Sequence, residues 1–280
     1  MQLHDPATGH VEVRTAVLLA AGLGSRLAPL TDAVPKCLVA VSGVPILERL
    51  VRALDTHGFR RLIIVTGYKA ETIREYLGER FGGIAVEYVL SPCFETTNNI
   101  YSLWLARRLI DEPFLLVESD VVFDEQLLAP LLESGRIAVS RQLPWMGGTT
   151  VTLDGGGNVD AFFPPPPGVY GHHCTDADHF MAVNICSLAR DTWGEASERL
   201  DSRVAAGQTG LFYESVFEEM AAAGSMAPAA VVFPAERWYE IDTPIDLKAA
   251  ELVFPSRRRV VRMWRPAPAV TMERSAGAAR

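Results

Sequence analysis

"LLAAGLGSRLAPLTDAVPKCLV", residues 18–39, is an apolar run that opens into a glycine loop and is followed at short spacing by one arginine and one lysine. Three readings compete for it: a targeting peptide, a cradle for phosphates, or an ordinary turn from strand to helix. Arg14 ahead of the short apolar core imitates a signal peptide. Thirteen residues of mixed polarity precede that run, however, and it passes directly into an arginine-bearing loop. A buried strand over 15–20 explains it better than a leader does.

A strand that turns tightly over 20–24 leaves backbone N–H groups open to a phosphate. The Gly-Lys-Ser/Thr ending of a Walker A loop is absent. Gly22 and Gly24 keep the spacing of the dinucleotide fingerprint, but Leu27 stands where its third glycine belongs. Taken alone, the glycine pair is explained by a tight turn. The cations shift that balance. Of 26 lysines and arginines only Lys36, Lys69 and Lys248 are lysine, so arginine is the default cation of this chain. A lysine directly after Val34-Pro35 suits a compact charge that approaches a single phosphate oxygen.

Outward from this segment, strands alternate with helices. Apolar strands are predicted at 61–68, 85–90, 114–123 and 136–140, and helices at 44–56, 70–82, 98–110 and 125–135, the last despite Pro130. Strands apolar along their whole length and separated by helices imply a parallel sheet covered on both faces. Ligands of such sheets sit beyond the carboxyl ends of the strands, and Arg26, Tyr68 and Asp120 all follow strands. After residue 140 the pattern changes. A hairpin is predicted over 147–163 with its turn at 155–158, and the four prolines 164–167 begin an extended loop. That loop is either a spacer or the wall of a small-molecule site.

The 280 residues, 49% hydrophobic and 21% charged, suit one extended α/β domain over 1–255, with an insertion over roughly 141–212 where the pattern changes. The net charge of −8 argues against a nucleic-acid partner. Residues 256–280 carry seven arginines and one glutamate and form a basic tail, expected to be mobile. No apolar run is long enough to span a bilayer. Cys37, Cys93, Cys174 and Cys186 form no CxxC pair, which fits reduced thiols in a cytoplasmic protein.

Two acidic segments stand far apart. "LLVESDVVF" ends a buried strand with Glu118 and Asp120 on one face. A carboxylate there either caps the next loop or holds a hard cation such as Mg²⁺ beside phosphates. In "WYEIDTPIDL", Thr243, Pro244 and Asp246 read as N-cap, N1 and N3 of a helix, leaving Asp242 just outside it. Asp242 then gains about 0.3–1 kcal/mol from the helix N-terminus and needs no other role.

The stretch "LAAGLGSRLAPLTDAVPKCLVAVSGVPILERLV" strongly resembles the opening motif of the nucleotidyltransferase family that makes activated sugars, cholines and related compounds. "TTNNIYSLW" and "YEIDTPIDL" resemble its choline-phosphate branch, and "SRQLPWMGGTTVT" resembles cytidylyltransferases that act on small phosphonates. The likeness covers most of residues 15–255. It implies a Rossmann-like mixed, mainly parallel sheet flanked by helices. Arg26 and Lys36 become the expected catalytic residues. Ala20, Ala21, Gly22, Gly24, Ser25, Tyr68, Asn98 and Glu118 become the expected nucleotide-binding set, and Asp120 with Asp242 the pair that grips Mg²⁺. Asn98 also reads as a plain helix N-cap.

What the resemblance implies is CTP-dependent transfer of CMP to a small anionic phosphonate or phosphate acceptor, with release of pyrophosphate. Arg141 and Tyr213 are the expected acceptor contacts, and His172-His173 either join them or are solvated. A quaternary ammonium acceptor needs an aromatic cage. Glycines and threonines occupy "WMGGTTVTL" where the choline-phosphate enzymes place part of theirs, so a phosphonate is preferred to phosphocholine. Trp145, Tyr170 and Trp193 remain as other cage candidates. A sugar-1-phosphate nucleotidyltransferase shares the opening motif but usually lacks the Asn-Asn-Ile-Tyr-Ser string. A non-catalytic nucleotide sensor of the same fold would have lost a phosphate or metal contact, and all four expected residues are present. A redox dehydrogenase is disfavoured by Leu27. Family membership also suggests a homodimer, with no nucleic acid or membrane as partner.

Overall fold

The computed structural model describes residues 12–143, 146–166, 169 and 178–255. Trp145, Tyr170, His172, His173, Cys174 and the 256–280 tail lie outside the described residues. In chain order the strands are β1 (Thr15–Ala20), β2 (Ala40–Val41), β3 (Val44–Pro45), β4 (Arg61–Thr66), β5 (Arg80–Phe81), β6 (Ile84–Leu90) and β7 (Phe114–Glu118). They continue with β8 (Val121–Phe123), β9 (Arg136–Arg141), β10 (Thr150–Leu153), β11 (Val159–Phe163), β12 (Phe180–Leu188), β13 (Ala229–Val232) and β14 (Trp238–Glu240). The helices are α1 (Leu30–Ala33), α2 (Ile46–Thr56), α3 (Ala70–Leu77), α4 (Asn99–Ala106), α5 (Arg190–Ala205), α6 (Glu214–Ala222) and α7 (Pro244–Val253).

A mixed ten-stranded sheet runs β11-β10-β12-β7-β1-β4-β6-β5, with β9 and β13 joined through β12. Its centre, β7-β1-β4-β6, is parallel. β1 and β4 are buried almost without interruption, as expected of strands covered on both faces. Alternation sorts their side chains. Leu18, Leu62 and Ile64 pack with Leu47 and Leu50 of α2 and Ile73 of α3, whereas Val17, Leu19 and Ile63 pack with Leu103 of α4, Trp193 of α5 and Phe217 of α6. On the second face Phe114 is fully buried and meets Trp193 edge-on at 4.9 Å. Phe114→Ala should cost about 3–5 kcal/mol in a urea titration. A loss below 1 kcal/mol would contradict this packing.

β12 runs antiparallel to β7, which makes the sheet mixed, as the resemblance implies. Three local expectations change. The helix predicted from 44 begins at Ile46, because Val44–Pro45 pairs with Ala40–Val41 in a small hairpin. The segment 125–135 forms a 3₁₀ helix, Glu125–Leu132, around Pro130, which lacks the N–H that an α-helix would use. The strand predicted over 114–123 is cut in two: β7 stays in the main sheet, and β8 pairs antiparallel with β14. That cut has a functional result. It turns Asp120 out of the ladder and, through β14, brings residues 240–242 beside it, with the Ile241 N–H donating to the Asp120 carbonyl at 2.9 Å.

Candidate active site

The loop after β1 is shaped by local chemistry. Gly24 lies in the left-handed region at φ 64°, and a Cβ there would come within 3.0 Å of the Lys36 Cβ. Its carbonyl accepts from the Leu27 N–H at 2.9 Å and from the Thr31 hydroxyl at 3.0 Å. The loop after β4 lies against it. The Tyr68 N–H donates to the Ala21 carbonyl, and a Cβ on Gly67 would sit 2.6 Å from that oxygen, so only glycine permits the approach.

Lys36 follows Pro35 at the start of a 3₁₀ turn, Lys36–Leu38. Its Nζ donates to Asp120 Oδ2 at 2.8 Å and to Asp242 Oδ1 at 2.6 Å. Arg26 donates to the same Asp242 oxygen at 2.9 Å. Thr243 caps α7 in a reciprocal box with Asp246, as the spacing predicts, and this fixes Asp242 just ahead of the helix. Burial works against the Lys36 ammonium, but attraction to Asp120 and Asp242 outweighs it and holds its pKa above the ordinary lysine range.

Glu240 completes a trio. One carboxylate oxygen each from Asp120, Glu240 and Asp242 lie within 4.8 Å of one another. Burial raises the Glu240 pKa well above the usual carboxylate range, and the charges of Asp242 and Asp120 add to the shift, against Lys36 and Arg26. Asp120 Oδ1 is buried with no hydrogen-bond partner. An orphaned oxygen in a group of converging carboxylates is the donor set that a hard divalent cation requires.

These residues border a cleft of about 550 Å³ beyond the strand ends. It is lined by the glycine-loop residues Ala20, Ala21, Gly22, Gly24 and Ser25, by Arg26, Lys36, Asp120 and Asp242, and by Asn98 and Glu118. Gly147–Thr149, Asn184, Phe212 and Glu214 line it as well.

Three expected residues are not brought to this cleft. The Tyr68 hydroxyl donates to the Thr31 carbonyl at 3.0 Å, which ties its ring to α1. Arg141 is exposed at the end of β9. Tyr213 is 2% exposed, its ring 5.2 Å from that of Phe217, which makes it a core residue rather than an acceptor contact. Trp193, also 3% exposed, is core as well.

Asn98 caps α4 by accepting the Asn99 N–H at 2.8 Å, in keeping with its local reading. The neighbouring Asn99 was not anticipated. Its Nδ2 donates to Glu118 Oε1 at 2.9 Å, and its Oδ1 accepts the Tyr213 N–H at 2.9 Å. Glu214 was also missed. Burial pushes its carboxyl up to about 7, and burial together with the charges of Glu214 and Asp120 raises that of Glu118. The E-x-D spacing held a signal for Glu240, and the Asn-Asn pair held one for Asn99. Nothing near Glu214 in the chain marked it.

Residues 15–136 match the nucleotidyl transferase family. Over 253 residues the chain is 33% identical to the CMP-5'-(3-aminopropyl)phosphonate synthase of Streptomyces rubellomurinus, a match that covers 89% of this chain and 40% of that protein. It is 37% identical over 123 residues to the 2-aminoethylphosphonate cytidylyltransferase of Lancefieldella rimae, covering 43% of this chain and 49% of the relative. The chain thus spans about half, or less, of the length of these relatives. Its fold is that of the CTP:phosphocholine cytidylyltransferase of Streptococcus pneumoniae, with a TM-score of 0.74 at 20% identity over 87% of this chain and all of that one. Among the described residues no helix is long and apolar enough to cross a membrane.

Proposed function

We propose that this chain, which matches the nucleotidyl transferase family over residues 15–136, is a cytidylyltransferase that transfers CMP from CTP to a small phosphonate and releases pyrophosphate. The observation that carries the reading is the ammonium of Lys36 held between Asp120 and Asp242 at the foot of a glycine loop. Likeness over 89% of the chain to an enzyme named for CMP attached to a phosphonate supports the acceptor class.

In the reaction an anionic oxygen of the acceptor attacks the α-phosphorus of CTP in line. The new P–O bond replaces the bond to the β-phosphate bridge, and pyrophosphate departs with that electron pair. An acceptor that is already ionised needs no protein nucleophile and no strong base. Catalysis then reduces to positioning and charge neutralisation. Backbone N–H groups over 21–24 cradle the triphosphate. Arg26, paired with Asp242 and with 44% of its side chain exposed, offers its guanidinium to the β- and γ-phosphates. Lys36 stays anchored by its carboxylates and places one positive charge where negative charge gathers at the α-phosphorus. Asn98 and the loop backbone, which line the cleft, would receive the base. Asp120, Asp242 and Glu240 would hold Mg²⁺, which supplies a further positive charge to the phosphates when bound.

The test is pyrophosphate release with Mg²⁺ and each of CTP, UTP, dTTP, ATP and GTP, against small phosphonates, phosphocholine and sugar 1-phosphates. Release that depends on CTP and a phosphonate is expected. Release only with a sugar 1-phosphate and another nucleotide would overturn the proposal.

A further inference from the structure

The main sheet carries a hydrophobic core on each face, and a third, smaller apolar cluster lies apart from both. Among the described residues, no member of this cluster belongs to the ten-stranded sheet. Its members come instead from the segments that carry the charges of the cleft. Fully buried Leu27 follows Arg26, and Val39 closes the 3₁₀ turn that Lys36 starts. Val122 lies two residues beyond Asp120, and fully buried Ile241 precedes Asp242.

Helix α7 covers the cluster and links its parts. Ala250 is fully buried in it. In the first turn of the helix, Asp246 accepts from the N–H groups of Asp242 and Thr243 at 3.2 and 2.7 Å. Toward the other end, Glu251 Oε1 accepts the Ser42 N–H at 3.1 Å. Ser42, at φ 50°, turns the hairpin between β2 and β3, which follows the Lys36 turn. One helix therefore joins Asp242 at its start to the chain leaving Lys36 at its end.

The charges alone do not fix their own geometry. Ion pairs open to water contribute little and tolerate many separations, and Arg26 pairs with Asp242 while 44% of its side chain is exposed. Close-packed apolar groups have no such slack, so they transmit a displacement. Preorganised charge stabilises a transition state only where it is held in one place. Resting on the transferase reading above, we infer that the third cluster is the positioning core of the site. Ala250 and Leu27 are its positioning residues, and neither lines the cleft. Ala250 sets how closely α7, and with it Asp242, approaches Lys36, and Leu27 sets the root of Arg26. The cluster acts on turnover more than on folding, because the two cores of the sheet hold the scaffold.

The test uses two opposite packing errors: Ala250→Leu overfills the cluster, and Leu27→Ala leaves a void in it. Leu77→Ala is the control, since Leu77 is buried in a core of the sheet at the end of α3, where the chain returns toward the start of β6. With CTP and a phosphonate, kcat should fall about 10²-fold in both cluster variants, as expected of a misplacement of about 1 Å. KM for CTP should change little, and Leu77→Ala should keep kcat within about threefold of wild type. Thermal melts check that each variant is folded at the assay temperature. A second readout needs no turnover. The chain has only three lysines, Lys36, Lys69 and Lys248, so acylation by a water-soluble succinimidyl ester can be followed at each by peptide mass spectrometry. Lys36, 14% exposed between its carboxylates, should react more slowly than exposed Lys248 in the wild type and in Leu77→Ala. Both cluster variants should lose most of that protection. If one cluster variant fails to fold, the other is read against the same control. Failure of both to fold while Leu77→Ala folds would make the cluster part of the scaffold and overturn the inference. So would kcat within about threefold of the control, or Lys36 as protected as in the wild type. If the wild type turns over no acceptor, the transferase reading fails, and the acylation pattern alone decides the positioning core.

Discussion

Lys36→Ala is expected to lower kcat/KM by about 10³-fold or more while the protein stays folded. Its Nζ is the one lysine charge held in the cleft, gripped at 2.8 and 2.6 Å by two carboxylates that fix its position before any substrate arrives. A charge fixed in advance needs no reorganisation as negative charge gathers on the reacting phosphate, and this is why its removal should fall on kcat more than on KM. The loss in stability should be smaller, roughly 1–3 kcal/mol, since the open cleft lets water reach the freed carboxylates. Steady-state kinetics paired with a thermal melt would separate the two effects. Lys36→Arg should rescue poorly, because a planar fork cannot occupy the point between Asp120 and Asp242 that an ammonium fills. Activity of Lys36→Ala within tenfold of wild type would remove this residue from the catalytic machinery.

Asp120→Ala carries the second large effect, again a fall of about 10³-fold or more. Asp120 presents one oxygen to Lys36 and leaves the other buried and unpartnered beside Glu240 and Asp242. If that oxygen is a ligand of Mg²⁺, the variant loses more than turnover. The wild-type melting temperature should rise when Mg²⁺ is added, through binding to the native state alone, and the variant should lose most of that rise. Chelation by EDTA should abolish wild-type turnover, and excess Mg²⁺ should restore it. A variant that keeps both the thermal response and the turnover would place the divalent ion elsewhere.

Much of this site is local in the chain. The glycine loop, Arg26 and Lys36 all fall within 22–36, and the capping box that positions Asp242 spans four residues, 243–246. Such features follow from φ preferences, spacing and side-chain type, so they are legible before any fold is known. The apolar strands β1, β4 and β7 are legible for the same reason, because burial on both faces leaves little room for polar residues. The partner groups are different. Glu214 lies at a helix start that nothing nearby distinguishes from a surface acid, and Tyr213 beside it looks as suited to a ligand as to the core.

The sequence by itself therefore determined the groups on offer: a glycine loop with open backbone, two cations and two aspartates, set on a strand-and-helix scaffold. Only the tertiary structure decided which of these meet. Asp120 and Asp242 are separated by more than a hundred residues and come together because β8 leaves the main sheet to pair with β14. Glu118 and Glu214 share a cleft because α6 packs on the face of the sheet that β7 completes. Contacts of this kind depend on strand pairing and burial between distant segments. No local pattern encodes them, since the same glutamate or tyrosine would be solvated had the sheet closed in another order.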